Sequence, residues 1–171
     1  ARRRTGPGAI LHRMNDRHPP LLPVDASRVL ALARNVLDTE ARAIATLGTK
    51  LGAAFVAAVG MVLNCRGRVV VSGIGKSGHI ARKLAATLAS TGTPAFFVHA
   101  AEASHGDLGM ITPEDVILAL SWSGEQPEMK NLITYAKRFR IPVIAMTAER
   151  ESSLAKAADV ALTLPKAREA C

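Results

Sequence analysis

Between Val69 and Leu84 the chain reads VVVSGIGKSGHIARKL: a β-branched run, a glycine loop, then a segment of helical period. Gly73, Gly75 and Gly78 spell G-x-G-x-x-G, and Gly75-Lys76-Ser77 matches the end of a P-loop, so phosphate binding is the first chemistry to test. A full P-loop needs another glycine where Val70 stands, inside the strand, so Lys76 lacks the nest of amides that wraps a triphosphate. A dinucleotide site needs an acidic residue at the end of the next strand, about 20 residues on. That strand ends FFVH at His99, and the first acid, Glu102, lies beyond it. A small phosphate remains. The hydroxyls of Ser72 and Ser77 and the unpaired amides of a helix starting near Ser77 can donate to an oxyanion. A second loop, SWSGEQPE, places Ser121, Ser123 and more amides before another helix. Two such loops at strand-to-helix junctions of one sheet suit a ligand the size of a sugar phosphate.

The elements that must position these groups follow from periodicity. Asp25-Ala26-Ser27 starts a helix with apolar Val29, Leu30, Ala33, Val36, Leu37 and Ile44. A second helix is expected from about Thr49 to Asn64, and both are alanine-rich, which suits close packing or a subunit contact. From Arg68 on, short continuous apolar runs (RVVVSG, PAFFVH, DVILALS, PVIAMT, DVALTL) alternate with helical segments, including one from about Pro127 to Phe139. That alternation predicts a three-layer, flavodoxin-like α/β fold: a five-stranded parallel sheet with helices on both faces, preceded by amino-terminal helices. Ligands in such folds sit at the carboxyl ends of the strands.

Composition narrows the partners. The net charge of +8 suggests nucleic acid, but residues 1–18 alone hold five Arg against Asp16. With Gly6-Pro7-Gly8 and Pro19-Pro20, residues 1–24 read as a basic leader without fixed structure. Aromatics at 4% leave no base-stacking platform, so no nucleic-acid partner is expected. No apolar run reaches about 18 residues, so no membrane partner is expected either. Cys65 and Cys171 offer neither a disulfide framework nor metal-ligand spacing, which fits a reducing compartment.

The motifs GIGKSGHI, STGTP, HGDLGM and SGE, followed by ESSLAKAADVAL and AREAC, resemble the sugar isomerase (SIS) domain family in its D-arabinose 5-phosphate isomerase branch. The resemblance covers about Leu30 to Cys171 and is densest from Gly73 to Glu125. It implies cytoplasmic interconversion of D-ribulose 5-phosphate and D-arabinose 5-phosphate through an enediol, supplying the Kdo sugar of lipopolysaccharide. It further implies no cofactor, no required metal and a homotetramer. Such chemistry needs a base for the C1/C2 proton, a group for the enediolate oxygen and help with ring opening. The resemblance carries these roles to Lys76, His105, Glu128 and Glu169. Glu128 or Glu169 would move the proton, Lys76 would face the enediolate, and His105 would open the ring or orient the substrate. Gly92, Thr93 and His99 match positions lining the substrate, and His99 is where an inhibitory zinc could bind. Residues 25–171 would be the SIS domain, with relatives continuing into a further helical segment, another histidine and paired CBS domains.

Some residues depart from the family pattern. Trp122 stands where asparagine is common, and Gln126-Pro127 replaces two serines. Glu125 and Glu128 would also suit the dipole of the helix that follows them. Two other functions fit the same motifs: a non-catalytic sugar-phosphate sensor, and an isomerase of another sugar phosphate. No helix-turn-helix pattern precedes the domain to favour the first. The second turns on contacts with ring hydroxyls.

Overall fold

The computed structural model describes residues 24–167, so the leader lies outside the described residues apart from Val24, as do Glu169 and Cys171. The part of the chain up to Glu40 and the part from Ala41 onward are separate compact units. Helix α1 (Ala26–Gly48) begins where the sequence expects it, with Asp25 Oδ1 accepting the Arg28 amide at 3.1 Å. Helix α2 (Ala53–Leu63) starts four residues later than expected. Residues 49–50 form a turn, and Gly52 is extended immediately before the helix.

Five apolar runs then form one sheet: β1 (Val69–Gly73), β2 (Ala95–His99), β3 (Val116–Leu120), β4 (Val143–Thr147) and β5 (Val160–Thr163). Every neighbouring pair is parallel, and the spatial order is β2-β1-β3-β4-β5. The helices between strands are α3 (Gly75–Ser90), α4 (Ala100–Ala103), α5 (Met129–Phe139) and α6 (Ser153–Ala157). The polar stretch after β2 folds into α4 and a 3-10 turn over Asp107–Met110.

Strand alternation sends successive side chains to opposite faces, and both faces are covered. Val70, Ile117, Ala119, Val143 and Ala145 pack with α4, with Met129, Leu132 and Ala136 of α5, and with Leu154 of α6. Val69, Val71, Val116, Leu118, Leu120 and Ile144 pack with Ala58 of α2 and with Ala81 and Ala85 of α3. Each fully buried valine or isoleucine contributes about 1.5–3 kcal/mol. At the amino end of the sheet, the buried Asp115 accepts the amides of Arg68 at 2.6 Å and Thr112 at 2.7 Å. This carboxylate ties the entries of β1 and β3 together at the rim opposite the strands' carboxyl ends.

Candidate active site

The carboxyl rim opens at the junction of β1 and β3. From β1 one connection leads to β2 on one side, while β3 lies on the other, so the loops after these two strands diverge and leave a crevice. Helix α3 is drawn tight against β1 by two glycines. A Cβ on Gly78 would lie 2.9 Å from the Gly73 carbonyl oxygen, and one on Gly73 would lie 3.0 Å from the Ser77 backbone. Two of the three motif glycines therefore serve strand–helix packing. Helix α3 starts at Gly75, two residues before the expected Ser77, and no side chain caps it. The amides of its first turn remain for a ligand, on the end of the helix that favours negative charge.

An open cleft of about 570 Å3 lies here, walled by Lys76, Ser77 and Ile80 from α3 and by Leu120, Ser121 and Trp122 at the end of β3; Met146 and Leu164 complete its apolar side. One ammonium, two hydroxyls and an apolar remainder fit a phosphorylated small molecule rather than a neutral lipid or a bare ion. Trp122 is 53% exposed at the mouth. Ser121 is buried, and its Oγ accepts the Gly124 amide at 3.0 Å. Ser123 Oγ accepts the Glu125 amide at 3.3 Å. The expected second set of free amides is thus partly occupied by the loop's own serines, and α5 begins only at Met129. The hydroxyl protons of Ser121 and Ser123, rather than the Gly124 and Glu125 amides, are what this loop offers an anion.

The SIS domain family profile matches residues 62–171. The chain belongs to the SIS domain family. It is 52% identical over 138 residues to the arabinose 5-phosphate isomerase KdsD of Escherichia coli K12, covering 81% of this chain and 42% of the relative. It is 53% identical over 146 residues to KdsD of Pseudomonas aeruginosa, covering 85% and 43%. The chain therefore spans less than half the length of these curated relatives. A solved structure of an E. coli CFT073 protein in complex with arabinose 5-phosphate superposes with a TM-score of 0.82 at 38% identity, over 86% of this chain and 79% of that one.

The SIS domain distributes the remaining expected site residues unevenly. Ser72 shares the sheet face of Val70, under α4 and α5, and is 0% exposed with its Oγ unpaired. It is enclosed rather than part of the cleft wall. His99 ends β2 beside Gly73, stacks edge-on to Phe97 at 6.2 Å between ring centroids, and has a buried, unpaired Nδ1. Among the described residues no group of three His, Cys, Asp or Glu side chains is arranged to hold a metal, at His99 or elsewhere.

His105 is exposed just after α4, and Glu128 is exposed just before α5. Asn131 Nδ2 donates to Ser104 Oγ at 2.8 Å, which joins the first turn of α5 to the residue beside His105. His105 and Glu128 thus belong to the α4–α5 side of the rim, while Lys76, Ser77 and Ser121 line the cleft on the α3 side. Gly92 and Thr93 precede β2 and lie at the opposite, amino end of the sheet. A five-residue strand spans about 17 Å, so within one chain they do not reach a small ligand in the cleft.

One contact has no counterpart in the sequence motifs. Glu125 does not serve the dipole of α5. Its Oε1 accepts the Ser153 amide at 2.7 Å and its Oε2 accepts the Ser153 hydroxyl at 2.7 Å. These hydrogen bonds, with Lys156 nearby, hold its carboxyl below the usual carboxylate range. The only sequence signal was Ser152-Ser153 at the start of a short helix, and nothing in it named an acid 28 residues away as partner.

Proposed function

We propose that this chain is the SIS domain of a D-arabinose 5-phosphate isomerase, interconverting D-ribulose 5-phosphate and D-arabinose 5-phosphate through an enediol. The carrying observation is the cleft at the β1/β3 crevice, where Lys76, Ser77, Ser121 and the uncapped start of α3 converge. The likeness to KdsD enzymes at 52–53% identity supports the choice of substrate. The product would feed Kdo and lipopolysaccharide synthesis in the cytoplasm.

The phosphate dianion sits against the α3 amides with the hydroxyls of Ser77, Ser121 and Ser123. From ribulose 5-phosphate a carboxylate, Glu128 or Glu169, takes a proton from C1 and charge moves onto the C2 oxygen. The Lys76 ammonium stabilises that oxyanion, the O1 hydroxyl proton passes to O2, and the same carboxylic acid returns its proton to C2, leaving the aldehyde at C1. His105 assists ring opening or orients the open sugar. Gly92, Thr93 and His99 complete the proposed substrate shell, from which the enclosed Ser72 is left out. Because Gly92 and Thr93 lie at the far rim, and His105 and Glu128 on the α4–α5 side, their part at this cleft requires a neighbouring copy, as a homotetramer would supply. No cofactor is needed, and His99, which has no companion ligands among the described residues of one chain, would hold an inhibitory zinc only with ligands from a neighbouring copy.

A coupled turnover assay with ribulose 5-phosphate, without added metal, tests the reading: arabinose 5-phosphate should appear. A different aldose would reassign the substrate. Phosphate binding without turnover would make the domain a sensor. Solvent exchange into substrate that survives in both Glu128→Gln and Glu169→Gln would remove both as the base.

A further inference from the structure

The loop from Ser121 to Glu125 carries two serines of the proposed phosphate site, yet it belongs to no helix or strand. Its shape is imposed by the segment after β4. The Trp122 carbonyl accepts from Thr147 Oγ1 at 3.1 Å and from the Ala148 amide at 3.0 Å, and the Gly124 carbonyl accepts from the Leu154 amide at 3.0 Å. Gly124 has φ +68, and a Cβ there would run into the Ser152 side chain, so the loop lies directly on the start of α6. The Glu125–Ser153 pair, at 2.7 Å twice, makes the shortest of these contacts and engages both carboxylate oxygens with one residue.

The carboxylate also raises an electrostatic problem. It is two residues from Ser123, and swung toward the cleft it would repel a phosphate dianion. The structure keeps it away: Glu125 lines the groove between α5 and α6 and is not part of the cleft wall. We infer that Glu125 is a positioning residue for phosphate binding, latched by Ser153 so that the Ser121–Ser123 loop stays in register with α3 and the carboxylate stays out of the cleft. The inference rests on the reading of the cleft as a sugar-phosphate site.

The test compares Ser153→Ala, Glu125→Asp, Glu125→Gln and the double variant Glu125→Gln/Ser153→Ala in the intact protein. Readouts are KM and kcat for ribulose 5-phosphate, the Kd of inorganic phosphate, and Tm. Ser153→Ala frees the charge, and Glu125→Asp keeps it while shortening its reach. Each should raise KM and the phosphate Kd about five- to tenfold, with kcat changed less than about twofold. Glu125→Gln removes the charge and retains one acceptor for the Ser153 amide, so its rise should be about twofold. Neutralising Glu125 in the Ser153→Ala background should bring KM back toward that smaller value. A brace that only supported the fold would give no such rescue. The inference is overturned if Ser153→Ala and Glu125→Asp keep the wild-type KM, or if the double variant is no better than Ser153→Ala. Wild-type protein that neither turns over the sugar nor binds phosphate overturns the reading of the cleft, and this inference with it.

Discussion

Lys76 is exposed on the first turn of α3 and shares a cleft with Ser77 and Ser121. Because it contributes little to packing, Lys76→Met should leave Tm within about 2 °C and lower kcat about 100- to 1000-fold, the usual loss when a donor to a developing oxyanion is removed. Steady-state kinetics beside a thermal melt checks both halves. Glu125 responds to pH. Its carboxyl is lowered first by the Ser153 hydroxyl, then by the Ser153 amide, with a smaller contribution from Lys156. A folded-state value below the unfolded one makes the latch fully stabilising above the ordinary carboxylate range, and that contribution is lost as pH falls through the lowered value. Urea denaturation across pH should show wild type more stable than Ser153→Ala at neutral pH, with the two curves converging in acid. Lys76, Ser77 and Ser121 were legible in the sequence because a cation or hydroxyl after an apolar run marks a strand's carboxyl end. The Glu125 latch was not, since its partner is distant in the chain and a glutamate before a helix has a simpler local use. Ser72 shows the opposite failure: its position was right, but strand alternation turns it away from the cleft.

At the scale of elements, the β1–α3 junction brings backbone against backbone beside the cleft. Gly78→Ala would place a methyl group against the Gly73 carbonyl, and the helix would have to move away from the strand. The expected cost is about 1–3 kcal/mol in urea denaturation, with a rise in KM because the α3 amides shift with the helix. The glycine pattern was visible at once, but its usual association with dinucleotides misleads; the missing acid after His99 and the close approach of Gly73 and Gly78 show what it does here. Strand positions were the most legible elements, because runs such as VVV and VILAL are buried on both faces. Helix starts were less so. Gly52 delays α2, and Pro127 and Glu128 fall in a turn before Met129, where local geometry outweighs propensity.

For the whole molecule, the alternation of strands and helices foretold a parallel sheet with two covered faces, but not the order β2-β1-β3-β4-β5 that opens the crevice beside β1. Nor does a single chain bring Gly92, Thr93 and Lys76 together, and no linear pattern reports what another copy would contribute. α2 presents Val56 at 70% and Leu63 at 79% exposure while Ala58 faces the sheet core. If the molecule assembles through this face, the double variant Val56→Lys/Leu63→Lys should shift size-exclusion elution to a smaller species without lowering Tm by more than a few degrees. Trp122 has a separate practical use. It is the chain's single tryptophan, its carbonyl is pinned by Thr147 and Ala148, and its half-exposed indole stands at the cleft mouth. All indole emission from the protein therefore originates beside the cleft, so any occupancy of it can be followed as a change in intrinsic fluorescence without any attached dye.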